Sequence, residues 1–139
     1  TTDSAGVIFC RKLDIPIAII TGENTEIVAR RSKKLKIDYL YQGISDKLTV
    51  AKKICTEMFI NLDNVAYIGD DLGDIPLLRS VKWSSAPDNA PDYIKEFVSH
   101  ITKKKGGEGA FREFVEWFII KEMGQDFFSE MIKSFSSIE

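Results

Sequence analysis

Apolar and polar positions along the chain fall into blocks whose period switches between that of a strand and that of a helix. "IPIAII" (15–20) is a short β-branched run that stops at Thr21-Gly22-Glu23. "NTEIVARRSKKLK" (24–36) sets Ile27, Val28 and Leu35 among charges, the pattern of a surface helix. "IDYLYQG" (37–43) reads as a strand ending at Gly43, and "DKLTVAKKICTEM" (46–58) as a helix with Asp46 as its N-cap. "NVAYIGD" (64–70) is the next strand and "GDIPLLRSV" (73–81) a short helix, with Pro76 in its first turn. "WSSAPDNAP" (83–91) reads as a loop following a short strand. "PDYIKEFV" (91–98) reads as a short helix, "SHIT" (99–102) as an edge strand and "KKKGGEG" (103–109) as a loop. "AFREFVEWFIIKEM" (110–123) is an amphipathic helix, and a second helical stripe follows Gly124 through Phe127, Phe128, Met131, Ile132 and Phe135. Strand–helix–strand repetition of this kind predicts an α/β domain: a Rossmann-like, mostly parallel sheet between helices, with a helical tail over about 125–139.

At 139 residues the chain fits one domain able to bury a core. Its hydrophobic share of 44% and charged share of 29% place it in the ordinary globular class. A net charge of −2 supplies no field for nucleic acid. Cys10 and Cys55 match no metal or redox spacing, and Cys55 lies on the apolar side of its helix as a core thiol. No apolar stretch reaches about 18 residues and no signal-peptide pattern is present, so the expected location is the cytoplasm.

Ligands of open parallel sheets bind beyond the carboxyl ends of the strands. Three predicted strands here end in polar groups: Thr21-Gly22-Glu23, Gly43 leading to Asp46-Lys47, and Asp70-Asp71 with Asp74 beyond. Adjacent carboxylates repel unless a positive charge lies beside them, and a hard cation such as Mg2+ takes oxygen ligands. An ammonium with a hydroxyl and loop amides suits a phosphate. The set therefore reads as Mg2+ with phosphate. Each part also has a plainer use: Asp after a strand caps a helix, Asp74 supports or caps from within the next helix, and Thr21 closes a turn.

The segments "IITGE", "YLYQGISDKL", "VAYIGDDLGDIPLL" and "GGEGAFREF" occur in an order that resembles the haloacid dehalogenase superfamily. More narrowly they resemble its small branch without a cap domain, which dephosphorylates eight- and nine-carbon keto-deoxy sugar acid phosphates. The resemblance runs to about Glu116. It implies a Mg2+-dependent phosphatase working through an aspartyl-phosphate intermediate. Thr21 matches the hydroxyl that binds the transferring phosphoryl group, Lys47 the lysine that neutralises it, and Asp70 the Mg2+ ligand, with Asp71 and Asp74 completing the acidic loop. It also implies a homotetramer in which a neighbouring subunit covers the open site.

One family feature is absent. The family nucleophile lies in a "DxDG" motif on a first strand, and no such motif occurs in this chain. The family places that strand upstream of a segment like "TTDSAG", so roughly thirty N-terminal residues are expected to precede this chain in its parent. Without them the chain is expected not to turn over substrate. The resemblance makes Asp3 and Ser4 candidates for the sugar-acid site; Asp3 serves equally as N-cap of a helix over 4–13. Gly22 and Glu23 form the phosphate-side turn, and Arg31 matches a substrate-binding position. Glu23 stands where octulosonate enzymes usually carry arginine. A Glu23–Lys34 charge pair would favour a nine-carbon acid 9-phosphate over an eight-carbon 8-phosphate. "KKKGGEGAFRE" offers basic groups to an anion or is a surface loop, the aromatic stripe of the tail suits core or subunit interface, and His100 reads as structural. Two other classes compete: a receiver-like or nucleotide-binding Rossmann domain, and a non-catalytic assembly module of an acylneuraminate cytidylyltransferase.

Overall fold

The computed structural model describes residues 3–136. Among these residues five strands and seven α-helices follow the predicted order: α1 (Ser4–Lys12), β1 (Ala18–Ile20), α2 (Glu26–Leu35), β2 (Tyr39–Tyr41), α3 (Lys47–Glu57), β3 (Ala66–Ile68), α4 (Ile75–Leu78), β4 (Trp83–Ala86), α5 (Asp92–Lys95), β5 (His100–Ile101), α6 (Ala110–Met123) and α7 (Gln125–Ser134). Local chemistry sets the boundaries. Thr25 accepts a hydrogen bond from Val28 N and starts α2, which ends where Lys36 turns left-handed at φ 57°. Asp46 accepts from Thr49 N and starts α3 as expected. Gly124 at φ 95° separates α6 from α7. The tail is helical over Gln125–Ser134; residues 137–139 of the expected tail, like Thr1 and Thr2, lie outside the described residues.

Every strand pair is parallel, but the pairs form two sheets, β1-β2 and β3-β4-β5. Between them lies a cavity of about 690 Å3, lined by all three residues of β1 and all three of β3. Successive strand residues point to opposite faces. A cavity that meets all three in a row therefore lies beside the strands, in the plane of the sheet. The facing edges of β1 and β3 have no ladder partner among the described residues. A strand in a sheet occupies about 4.8 Å laterally, about 10 Å between flanking layers and about 3.3 Å per residue, roughly 160 Å3 per residue. The cavity thus matches one strand of about four residues.

Helices cover both faces. Ala66 and Ile68 pack on the main core of Cys10, Phe114, Val115, Ile119 and Met131, contributed by α1, α6 and α7. Tyr67, between them, points the other way, onto Leu78, Ala86, Ala90 and Ile94. Cys10 and Cys55 are free and buried, and burial pushes the Cys10 thiol up to about 12. Of the tail stripe, Met131 is buried and Phe128 packs on the core, whereas Phe127, Ile132 and Phe135 remain exposed.

The stretch expected as a loop from Trp83 is instead a strand as far as Ala86. Ser84 and Ser85 suggest loop chemistry, yet both are buried with their hydroxyls satisfied, Ser84 Oγ by Ser99 N at 2.9 Å and Ser85 Oγ with His100 Nδ1 at 3.1 Å. His100 stacks on Trp117 with ring centroids 4.4 Å apart, and this burial lowers its pKa. Its structural assignment agrees with these contacts.

Where α1 meets α6, a Cβ on Gly6 would stand 2.7 Å from a Phe111 ring carbon. In a free helix Gly→Ala gains about 1 kcal/mol. Here the clash reverses the sign: Gly6→Ala is expected to destabilise the fold by about 1–3 kcal/mol, as overpacking does, measured by urea unfolding.

Candidate active site

The acidic loop after β3 is organised around one buried carboxylate. Asp74 is 3% exposed and accepts four hydrogen bonds. Oδ2 receives Asp70 N and Asp71 N, each at 3.0 Å. Oδ1 receives Lys47 Nζ at 2.7 Å and Tyr67 Oη at 2.5 Å. Gly69 permits the arrangement, because a Cβ there would stand 2.6 Å from Asp74 Cγ. Asp71 closes the loop from its other side by accepting from Leu72 N at 2.8 Å.

Lys47 opens α3 and is 8% exposed. An ammonium carries three donors, and this one uses a single donor on Asp74, leaving two free of protein partners among the described residues. The buried pair ties α3, which follows β2, to the loop after β3. It therefore joins the elements of the two sheets. At the end of β1, Thr21 N continues the ladder to Tyr41 O, and Thr21 Oγ1 accepts from Glu23 N at 3.1 Å. Thr21 O accepts from Ile44 N and Glu23 O from Gly43 N, so the turn is fastened to the loop that leads into Lys47. The Thr21 hydroxyl closes a turn and keeps its own proton to donate.

Asp70 is exposed, and its carboxylate has no hydrogen-bond or ion-pair partner among the described residues. Asp71 is also exposed. Among the described residues no group of three or more carboxylate, histidine or cysteine side chains is arranged to hold a metal ion. The loop thus offers two exposed oxygen donors side by side. That set suits a hard cation that retains water, with the remaining ligands coming from elsewhere.

Residues 11–114 match the haloacid dehalogenase-like hydrolase family. The chain belongs to this family. It is 37% identical over 109 residues to the 3-deoxy-D-manno-octulosonate 8-phosphate phosphatase KdsC of Yersinia pestis, covering 78% of this chain and 58% of that protein. It is 35% identical over 120 residues to KdsC of Escherichia coli K12, covering 86% of this chain and 64% of that protein. The haloacid dehalogenase-like chain therefore spans about three fifths of the length of these relatives. Among solved structures it resembles the 3-deoxy-D-manno-octulosonate 8-phosphate phosphatase of Moraxella catarrhalis, determined with magnesium ion, phosphate ion and a KDO molecule. The identity is 36% and the TM-score 0.87, over 96% of this chain and 75% of that one. The corresponding Yersinia pestis structure gives 34% identity and a TM-score of 0.84, over 90% and 68%.

Of the expected substrate-side residues of this haloacid dehalogenase-like hydrolase, Asp3, Ser4 and Arg31 border the cavity between β1 and β3. Asp3 occupies the N-cap position of α1 without capping it through its side chain; its carboxylate accepts from Phe111 N at 3.1 Å and ties α1 to α6. Gly22 lies against Ile44 O in the turn. Glu23 and Lys34 are both exposed and form no ion pair. The reason is helical geometry: Glu23 precedes α2 and Lys34 stands in its last turn, so about 12 Å of helix separates their ends. The lysine-rich loop is held by its backbone, with Glu113 accepting from Lys103 N and Lys104 N and Asn89 accepting from Gly106 N. Tyr67, carried within the apolar run of β3, is also a member of the site through its hydrogen bond to Asp74. Its one signal in the sequence is a hydroxyl on an otherwise apolar strand leading into three acids.

Removing one partner of a buried ion pair leaves an uncompensated charge and costs about 3–5 kcal/mol. Lys47→Met is expected to lower the unfolding free energy by about that amount. The double variant Lys47→Met/Asp74→Asn is expected to recover a substantial part of it, since no unpaired charge remains buried. Urea unfolding of the two variants and the parent measures the difference.

Proposed function

We propose that this chain is the larger part of a Mg2+-dependent phosphatase that hydrolyses the phosphate monoester of an eight- or nine-carbon keto-deoxy sugar acid. The observation that carries the reading is Lys47. It is a buried ammonium held on the acidic loop, with two donors unspent, beside a loop that presents Asp70 and Asp71 to solvent. Phosphoryl transfer depends on positioning and charge neutralisation. Lys47 would neutralise the transferring phosphoryl oxygens, and the Thr21 hydroxyl and the amides of its turn would orient them. Asp70 would hold the metal, with Asp71 supporting the loop and Asp74 fixing both loop and lysine. The metal, when bound, supplies Lewis-acid neutralisation of phosphate charge. The magnesium and phosphate ions bound by the Moraxella catarrhalis relative support this assignment.

The nucleophile would come from a strand seated between β1 and β3. Their unpaired edges, the strand-sized cavity and the relatives' greater length support that placement. A carboxylate at the end of that strand would attack phosphorus as the ester P–O bond breaks, forming an aspartyl phosphate. A neighbouring acid would protonate the departing sugar oxygen, and water would then hydrolyse the acyl phosphate. Without the strand the residues present lack a nucleophile in position. A cytoplasmic homotetramer, with a neighbour over the site, is part of the same proposal.

For substrate, the similarity to the KdsC phosphatases favours the eight-carbon acid 8-phosphate. The nine-carbon preference rests on Glu23 in place of arginine and on its pairing with Lys34, and the pair does not form.

The test uses the parent polypeptide with its upstream segment. It is expected to release phosphate from 3-deoxy-D-manno-octulosonate 8-phosphate, to lose activity with a chelator and to regain it with Mg2+. Asp70→Asn is expected to abolish turnover while leaving the circular dichroism spectrum unchanged. The 139-residue chain alone is expected to be inactive. An Asp70→Asn enzyme with most of its activity would remove the metal assignment. Faster turnover of a nine-carbon acid 9-phosphate than of the 8-phosphate would return the substrate reading to the longer acid.

A further inference from the structure

Two donors compete for one oxygen of Asp74. Lys47 Nζ lies 2.7 Å from Oδ1 and Tyr67 Oη lies 2.5 Å from the same atom. A carboxylate turns readily about its last bond, because that torsion is broad. Lys47 reaches Asp74 on a flexible four-carbon stem and cannot by itself define the carboxylate plane. Tyr67 differs in kind. Its ring is carried by β3 and packs on the cluster of Leu78, Ala86, Ala90 and Ile94. The hydroxyl is therefore a fixed point. Burial and the Asp74 carboxylate both hold the phenol above its ordinary pKa, so it remains a donor wherever the fold is stable.

We propose that Tyr67 is a positioning residue for the phosphate-binding lysine: its hydrogen bond sets the plane of the Asp74 carboxylate, so that Oδ2 grips the acidic loop while Oδ1 holds Lys47 in one place. The two jobs are coupled through one rigid group. Turning the carboxylate toward Lys47 would release Asp70 N and Asp71 N, and turning it toward the loop would free the ammonium. Tyr67 also takes a share of the charge on Oδ1, so Asp74 does not wholly satisfy Lys47 and the lysine keeps attraction for an anion. The consequence for turnover rests on the phosphatase reading; the positioning itself does not.

The variant is Tyr67→Phe, which keeps the ring and its packing and deletes only the donor. In the parent polypeptide with its upstream segment, amide hydrogen exchange at Asp70 and Asp71 is expected to speed up by about tenfold, the scale of one lost hydrogen bond to a charged group. Amides of Val115 and Ile119, in the core on the other face, are expected to keep their protection. A purely space-filling Tyr67 would leave the Asp70 and Asp71 amides as they were, and that result would overturn the proposal. Should the variant fail to fold, the same polypeptide with Tyr67 intact still decides. Its Tyr67 hydroxyl proton is expected as a slowly exchanging, downfield NMR signal, and a hydroxyl averaged with water overturns the proposal equally. In the active parent polypeptide, Tyr67→Phe is expected to lower kcat more than it raises KM, because a misplaced lysine is felt most as charge develops. Faster exchange with an unchanged kcat would overturn the catalytic role. An inactive parent would count against the phosphatase reading alone, since the exchange experiment stands apart from activity.

Discussion

A carboxylate with almost no exposure is the constraint on which the rest of this molecule turns. An ionised Asp74 can stay buried only with its charge and lone pairs met, and the fold meets them with an ammonium, a phenol and two backbone amides. The four partners come from three places. Lys47 starts the helix after β2, Tyr67 lies within β3, and the two amides belong to the loop that β3 enters. Satisfying one side chain therefore fixes the register of three segments against one another. Gly69 belongs to the same constraint, since the carboxylate folds back through the space that any side chain there would fill.

That node also explains why the two sheets hold together at their functional end. Among the described residues β1-β2 and β3-β4-β5 share no ladder hydrogen bonds, and the cavity between them is bordered by apolar strand residues. Hydrophobic packing on the α1, α6 and α7 side is non-directional and sets no position to a fraction of an ångström. The hydrogen-bonded ion pair is directional. It spans from α3 to the acidic loop and aligns the carboxyl ends of strands from both sheets. The interaction that holds the site together is thus also the one that places its lysine.

Most of the architecture could be read from periodicity. The order of elements, the Asp46 cap and the turns at Thr21 and Gly124 follow from short-range chemistry, which the sequence displays directly. The readings that failed needed distances along or between elements. Glu23 and Lys34 looked like partners by charge, but a rigid helix keeps them apart. Asp3 sat at a cap position and instead reached a backbone amide on α6, 108 residues away in sequence. Ser84 and Ser85 suggested a loop, because the sequence cannot show that Ser99 and His100 lie beside them to satisfy their hydroxyls.

By itself the sequence determined the alternating parallel α/β plan and the residue types at the strand ends, Thr21, Lys47 and Asp70, because periodicity and turn chemistry are local properties. Tertiary structure alone decided what those residues touch. It buried Asp74 and left Asp70 exposed, although both are aspartates of one short loop. It turned Tyr67 away from its neighbours Ala66 and Ile68 and onto that carboxylate. It set β1 and β3, whose facing edges have no ladder partner among the described residues, on either side of one cavity. The physical reason is common to all three: burial and pairing are relations between segments distant in sequence, and they exist only once the chain has packed.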